Sequence, residues 1–384
     1  MRPILFLSAF FSLILVLHGY IGIRLLSDLP IGFNGHLTGI FLLIISSLLI
    51  PLGMLARFIK RQPLSDVLAW VGLLAMGLFS SLLVLTFLRD VALMLMSLFS
   101  KTLPSHLIEV FPMWSAVSVP VLALTVTLIG FINARARASV VHIDIPIAQL
   151  PDGLHGFTIV QISDIHVGPT IKRNYLQAII EKVNSLNADL IAITGDMVDG
   201  NVETLAKHTS GLADLRARHG SYFVTGNHEY YSGAHAWITE FRRLGLQVLM
   251  NEHVVLKHDD AEIVIAGVTD YSAHQFDPAH RSDPVAAIHG APDSASTRVL
   301  LAHQPRSAAL ASRAGFDLQL SGHTHGGQFW PWNLFVPLQQ PFTAGLNRLE
   351  NLWIYTSRGT GYWGPPKRFG APSEITKIRL VPAL

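Results

Sequence analysis

Five short blocks of this chain carry side chains able to hold cations or move protons. They are "DIH" with Asp164 and His166, "GDMVD" with Asp196 and Asp199, "GNHE" with Asn227, His228 and Glu229, "HQP" with His303, and "GHTHGG" with His323 and His325. Each directly follows an apolar run, and most have glycine beside them. Mixed imidazole, carboxylate and amide donors suit hard-to-borderline divalent metals. In a locally extended turn, residues two apart point the same way, so Asp164/His166 and His323/His325 can each aim two donors at one point. Glycine lets the backbone take positive φ and approach a bound ion closely.

Seven candidate donors (Asp164, His166, Asp196, Asn227, His303, His323 and His325) are too many for a single four-coordinate centre. Charge also favours two ions, because Asp164 and Asp196 neutralise only half the charge of two divalent cations. The remainder suits a phosphate ester plus a bridging hydroxide. Two ions about 3.5–4 Å apart can activate that hydroxide and hold both ends of an in-line displacement at phosphorus. The four imidazoles argue against magnesium alone and leave manganese, zinc and iron as the expected cofactors.

Other readings of the same residues are blander. Asp164 or Asp196 could cap a helix, as aspartate after a strand often does, although capping does not explain the company they keep. Asp199 and Glu229 read as loop or cap residues. Arg358, in "SRGTG", is a candidate phosphate contact, while Trp363, Pro365 and Pro366 read as loop braces. His142, His208, His219 and His235 have no motif around them and read as structural.

The elements that must position these blocks are legible as runs. "VVHIDIPI", residues 140–147, alternates like a strand with one buried face, and Pro146 suits an edge. Short apolar runs then end at Ser163, Thr194, Thr225, Gly267, Ala302, Ser321 and Ser357. Between them, "RNYLQAIIEKVNSL" places Leu176, Ile179, Ile180, Val183 and Leu186 on one helical stripe, and 203–218 and 234–244 read as helix. Strands alternating with helices predict an α/β domain whose ligands gather beyond the strands' carboxyl ends.

The order Asp-x-His, Gly-Asp, Gly-Asn-His-Glu, His, Gly-His-Thr-His resembles the calcineurin-like metallophosphoesterase superfamily. The "GHTHGGQ" block and the tail "TSRGTGYWGPPKRFGAPSEIT" are similar to its membrane-associated bacterial phosphohydrolases. The resemblance covers about residues 140–380 and departs from the commoner Gly-His at "LLAHQP". It implies an α/β sandwich of two β-sheets flanked by helices. It also implies one metal on Asp164, His166, Asp196 and His325 and a second on Asp196, Asn227, His303 and His323, bridged by Asp196. His228 would then stabilise charge on the phosphoryl oxygens or protonate the leaving group.

Composition shifts sharply before that domain. Half of the 384 residues are hydrophobic and 14% are charged, with the apolar excess concentrated in residues 1–137; the expected catalytic domain is 138–384. Runs at 4–26, 36–56, 67–88 and 108–132 are each long enough for a membrane helix, which takes about 20 residues. Arg89-Asp90 reads as a loop, followed by a re-entrant or interfacial patch at 91–99, and no charged residue falls well inside a run. His18 reads as interfacial. Arg2, Arg57, Lys60, Arg61, Arg135 and Arg137 outnumber Arg24, Arg89 and Lys101 across the loops, which predicts an inner-membrane protein with its catalytic domain in the cytoplasm.

A formal charge of +2 gives no basis for nucleic-acid binding, and neither a basic stripe nor interleaved aromatics supports a nuclease. The absence of cysteine excludes disulfides and thiolate zinc sites. The expected activity is hydrolysis of a phosphomonoester, phosphodiester or pyrophosphate. Membrane delivery favours a lipid-linked substrate, and the alternative is a non-catalytic metal-binding scaffold. Oligomeric state leaves no mark in the sequence.

Overall fold

The computed structural model describes residues 2–59, 61–292, 294–295 and 297–383. Two compact units divide the chain: Met1–Ile132 with Gly364–Lys367, and Asn133–Trp363 with Arg368–Leu384.

The first unit is helical. Its elements are α1 (Arg2–Leu26), α2 (Gly32–Leu55), α3 (Leu64–Leu98) and α4 (Ser105–Arg135), whose last turn passes into the second unit. All four are long and apolar enough to cross a membrane. The loop expected at Arg89-Asp90 does not form, because α3 runs unbroken for 35 residues. Arg89 is buried and its donors are all engaged: Nη1 with the Arg24 carbonyl at 2.7 Å, Nε with Ser115 Oγ at 3.0 Å, and Nη2 with Asp28 and the Pro112 carbonyl. Asp90 pairs with Arg24 at 2.9 Å and accepts from the Tyr20 hydroxyl at 2.8 Å. A charged pair satisfied this fully need not end a helix. Arg89 therefore drops out of the loop charges used for orientation, and Lys60 lies outside the described residues.

His18 is buried among the helices of this unit. It is 4% exposed, bonded to Ser46 Oγ at 3.0 Å and stacked on Phe79 with ring centroids 4.3 Å apart. Segment Gly364–Lys367 packs among the same helices, with Lys367 Nζ donating to the Gly77 carbonyl at 3.0 Å and to Ser81.

The second unit is an α/β sandwich. Its strands are β1 (Ser139–Ile147), β2 (Thr158–Ile162), β3 (Leu190–Ile193), β4 (Ser221–Phe223), β5 (Gln247–Val248), β6 (Glu252–His258), β7 (Ala261–Gly267), β8 (Thr297–Leu301), β9 (Leu318–Ser321), β10 (Gly345–Leu349), β11 (Leu352–Thr356) and β12 (Glu374–Pro382). Its helices are α5 (Arg173–Asn184), α6 (Val202–Thr209), α7 (Asn227–Ser232), α8 (Ala234–Arg243), α9 (Pro284–Ile288) and α10 (Ala308–Arg313). One sheet runs β1-β12-β2-β3-β4-β5 and the other β10-β11-β9-β8-β7-β6. Strands β2 to β5 are mutually parallel, as are β7, β8, β9 and β11. β1 is an edge strand, where Pro146 costs no ladder bond on its open side.

Ile159, Leu190, Tyr222, Ile265, Leu301 and Leu320 interdigitate between the two sheets. The outer face of the first sheet is covered by helices: α5 presents Leu176, Ile179, Ile180 and Val183, and α8 presents Trp237, Ile238 and Phe241. Ala287 of α9 and Ala308 and Ala311 of α10 cover the second sheet with Leu300 and Ile354. The run 203–218 is helical only through Thr209 and then tightens into a 3-10 turn over Ser210–Asp214.

Candidate metal centre

All five blocks sit at carboxyl ends of parallel strands: β2, β3 and β4 in one sheet, β8 and β9 in the other. The turns are not extended, contrary to expectation. Asp164, His166, Asp196, His323 and His325 all take left-handed backbone, with φ between 51° and 70°. Such conformations cost non-glycine residues of order 1–3 kcal/mol each and persist where surrounding structure over-determines them. His323 and His325 diverge, whereas Asp164 and His166, with the same left-handed φ, converge on one donor group as expected. His323 Nδ1 lies 3.2 Å from His303 Nε2, whereas His325 Nε2 lies 3.1 Å from His166 Nε2.

The donors thus fall into two groups. Asp164, His166 and His325 form one, with Asp164 Oδ1 3.4 Å from His325 Nε2. Asp196, His303 and His323 form the other, joined by Asn227 Oδ1 at 3.2 Å from His303 Nε2. Asp196 Oδ2 faces both, 3.1 Å from His303 Nε2 and 4.0 Å from His166 Nε2.

Glycines make this crowding sterically feasible. A Cβ on Gly322 would fall 2.0 Å from Ser163 Oγ and 2.2 Å from Asp164 Oδ2. One on Gly226 would fall 2.2 Å from Asp196 Oδ1. Backbone amides fix the carboxylates: His323 N donates to Asp164 at 3.0 Å, and His228 N donates to Asp196 Oδ1 at 2.8 Å.

Three residues that the sequence left as loop, cap or unremarked organise the centre. Asp199 Oδ1 accepts from His166 Nδ1 at 3.2 Å and from His228 Nδ1, which orients both rings. The fully buried Glu229 accepts three backbone N–H bonds, from Gly226 at 2.7 Å, Met197 at 2.8 Å and Asp196 at 2.9 Å. It staples the turn after β3 to the turn after β4. Buried Arg368 donates to the carbonyls of His325 at 3.1 Å, Gly361 at 3.1 Å and Ala371 at 3.2 Å, and its Nη2 lies 3.1 Å from His325 Nδ1. "GDMVD" and "GNHE" displayed two of these groups, but their partners lie about thirty residues away in sequence.

The remaining expectations can be placed as well. Arg358 Nη1 pairs with buried Glu374 at 2.8 Å, and its stem lies over Gly326, beside His325. Trp363 is tied to Gln328 by 2.8 Å bonds in both directions, and its half-exposed ring stands 5.6 Å from that of His228. At the departure "LLAHQP", Gln304 is buried and donates to Asp270 Oδ2 at 3.0 Å, while Gln340 donates to it at 3.0 Å. That locks the His303 turn without glycine.

Electrostatics test whether cations fit. His303 Nδ1 donates to the Thr194 carbonyl at 2.7 Å, so its Nε2 lone pair faces two acceptors, Asp196 Oδ2 and Asn227 Oδ1, unless a positive charge lies between. Burial opposes a charged His303, yet Asp196 and Asp164 outweigh it and raise the ring well above its ordinary range. Burial pushes the Asp164 carboxyl up, with repulsion from Asp196 adding to it. Burial acts the same way on Asp196, but His303 and His228 hold it well below the carboxylate range. A cation among these donors would replace the proton on His303 and stabilise both carboxylates. Burial drives His323 down to about 3 and lowers His325 strongly, toward the form of imidazole that a metal takes. The donor set fits divalent metals.

Comparison with known proteins is consistent with this chemistry. The calcineurin-like phosphoesterase family model matches residues 157–327. An uncharacterized metallophosphoesterase of Bacillus subtilis, YkuE, is 32% identical over 243 residues, covering 60% of this chain and 81% of its own. The chain belongs to the calcineurin-like metallophosphoesterase family. A Danio rerio transmembrane protein with a metallophosphoesterase domain is 40% identical over 272 residues, so the likeness extends beyond bacteria. The match covers 68% of this metallophosphoesterase and 62% of the Danio rerio protein. Among solved structures, a Haemophilus influenzae NAD nucleotidase aligns with a TM-score of 0.37 at 14% identity, covering 53% of this chain and 45% of that one. Four helices long and apolar enough to cross a membrane stand ahead of the α/β unit in the chain, which supports a multi-pass membrane protein.

Proposed function

We propose that this protein is a membrane-anchored phosphohydrolase with two divalent ions (manganese, zinc or iron) cleaving a phosphoester or pyrophosphate bond. Asp164, His166, Asp196 and His325 would hold one ion, and Asp196, Asn227, His303 and His323 the other. The observation that carries this reading is the position of Asp196 Oδ2 between two separate donor groups. Bound ions would supply an activated water at neutral pH and neutralise charge on the phosphoryl oxygens.

The protein's own residues do the rest. Asp199 fixes Nδ1 of His166 and of His228, so each ring acts through Nε2. Burial disfavours a charged His228, but Asp196 and Asp199 push it up to about 9, which keeps it protonated near neutral pH. His228 Nε2–H then stabilises charge on phosphoryl oxygen or donates its proton to the leaving oxygen. Arg358, positioned by Glu374, contributes a phosphate contact at the rim.

A lipid-linked substrate is supported by location and by surface. The loop directly after "GHTHGGQ" exposes Trp330, Trp332, Leu334, Phe335 and Leu338, the last at 80%. Contiguous exposed apolar side chains mark interaction surfaces, and tryptophan is enriched at membrane interfaces. The loop charges that remain after Arg89 is removed support a catalytic unit on the cytoplasmic side. Protease protection in inside-out vesicles tests that placement, which fails if the unit is shielded from protease.

The test of activity is hydrolysis of a chromogenic phosphodiester with manganese by wild type, Asp196→Ala and His228→Ala. Both variants should lose activity; equal rates in all three would favour the scaffold. Screening extracted lipids by mass spectrometry tests the substrate class, and cleavage of soluble nucleotides alone would contradict it.

A further inference from the structure

A second group of potential ligands lies apart from this centre. His235 stands in the first turn of α8, while Asp277 caps the turn Pro278–His280 and His280 ends it. His235 Nε2 is 3.1 Å from Asp277 Oδ2, His280 Nε2 is 3.8 Å from the same oxygen, and the three ligand atoms all lie within 4.8 Å of one another. Ligands bound about 2.0–2.1 Å from a tetrahedral zinc stand about 3.3 Å apart, close to this spacing.

The atoms pointing away from the group are already engaged. His280 Nδ1 is 2.9 Å from the Tyr230 hydroxyl, and Asp277 Oδ1 accepts from Ala279 N at 2.9 Å. That leaves His280 Nε2 and Asp277 Oδ2 toward His235, the kind of outer support seen behind metal-binding imidazoles. Burial lowers His280 from its ordinary range, more than Asp277 raises it. A cavity of about 360 Å3 adjoins the group, lined by His235, Thr239, Arg242, Asn251, Thr269 and His280. Three protein ligands beside an open cavity is the arrangement of zinc sites that keep an exchangeable position.

We propose that His235, Asp277 and His280 bind a third divalent cation of zinc type, whose open position faces this cavity and takes a small anion near Arg242. The cation ties α8 to the turn at 277–280. Through Tyr230 it also braces α7, which carries Asn227 and His228. The site does not depend on the dinuclear reading.

The experiment uses the full chain in detergent, stripped with chelator, reloaded with zinc chloride and desalted, with zinc counted by mass spectrometry. Variants are His235→Ala, whose side chain is largely exposed, and Asp277→Asn, which keeps an acceptor for Ala279 N. Each should bind one equivalent less than wild type, three falling to two. If the dinuclear reading were wrong, the total would drop but the difference of one would remain. Cobalt in place of zinc should give tetrahedral absorption bands whose intensity per protein falls by one site's share in His235→Ala and by the same share in Asp277→Asn, each compared with wild type. Equal zinc counts in wild type and both variants, with unchanged cobalt bands, would overturn the proposal.

Discussion

Replacing Glu229 with alanine should destabilise the catalytic unit more than any exposed substitution. The carboxylate accepts backbone bonds from Gly226, Met197 and Asp196 at 2.7–2.9 Å and is fully buried. Leaving a buried donor unsatisfied costs about 1–3 kcal/mol, so three donors set a range of about 3–9 kcal/mol. Water entering the vacated space recovers part of this, which brings the expected loss to about 3–6 kcal/mol. For a domain of this size each kcal/mol moves Tm by about 2–4 °C, so Tm should fall by about 6–24 °C. Glu229→Gln keeps the shape but loses one acceptor, and should fall by about a third as much. The assay is thermal unfolding of detergent-solubilised protein followed by tryptophan fluorescence, in chelator so that metal affinity does not contribute. If Glu229→Ala melts within about 2 °C of wild type, the staple between the two turns is not what orders them.

Other expectations follow from the same geometry. His228→Gln should lower kcat by about 100- to 10,000-fold with both metals retained, read by steady-state kinetics beside a metal count. Asp199→Ala frees both His166 and His228, so it should weaken metal affinity by about 10- to 100-fold in chelator competition as well as slow turnover. Gly226→Ala drives a methyl into Asp196 Oδ1, and should cost the bound metals in that count although the residue ligates nothing. Chelation of wild type should abolish hydrolysis and lower Tm, with manganese restoring both.

Much of the site's layout was readable from the chain because chemistry and periodicity coincide there. Apolar runs ending at Ser163, Thr194, Ala302 and Ser321 mark strand ends, and donors placed just beyond parallel strands must gather at one end of their sheets. What could not be read depends on backbone angles and on partners distant in sequence. An extended turn was expected for "HTH", yet His323 and His325 take left-handed φ and their rings join different donor groups. Asp199 and Glu229 look like ordinary loop acids until folding sets them against His166, His228 and the amides of the next turn. Arg89 misled for a related reason. Its charge predicts a loop only when its partners, Asp28, Arg24, Pro112 and Ser115, are unknown. His235 had no motif because Asp277 and His280 lie some forty residues further on.

The bridging position of Asp196 is tested most directly by electron paramagnetic resonance of the manganese-loaded protein. Two ions about 3.5–4 Å apart should give a spin-coupled multiline spectrum, and Asp196→Asn should replace it with signals of isolated ions or none. A wild-type spectrum of uncoupled manganese at full loading would contradict a dinuclear centre.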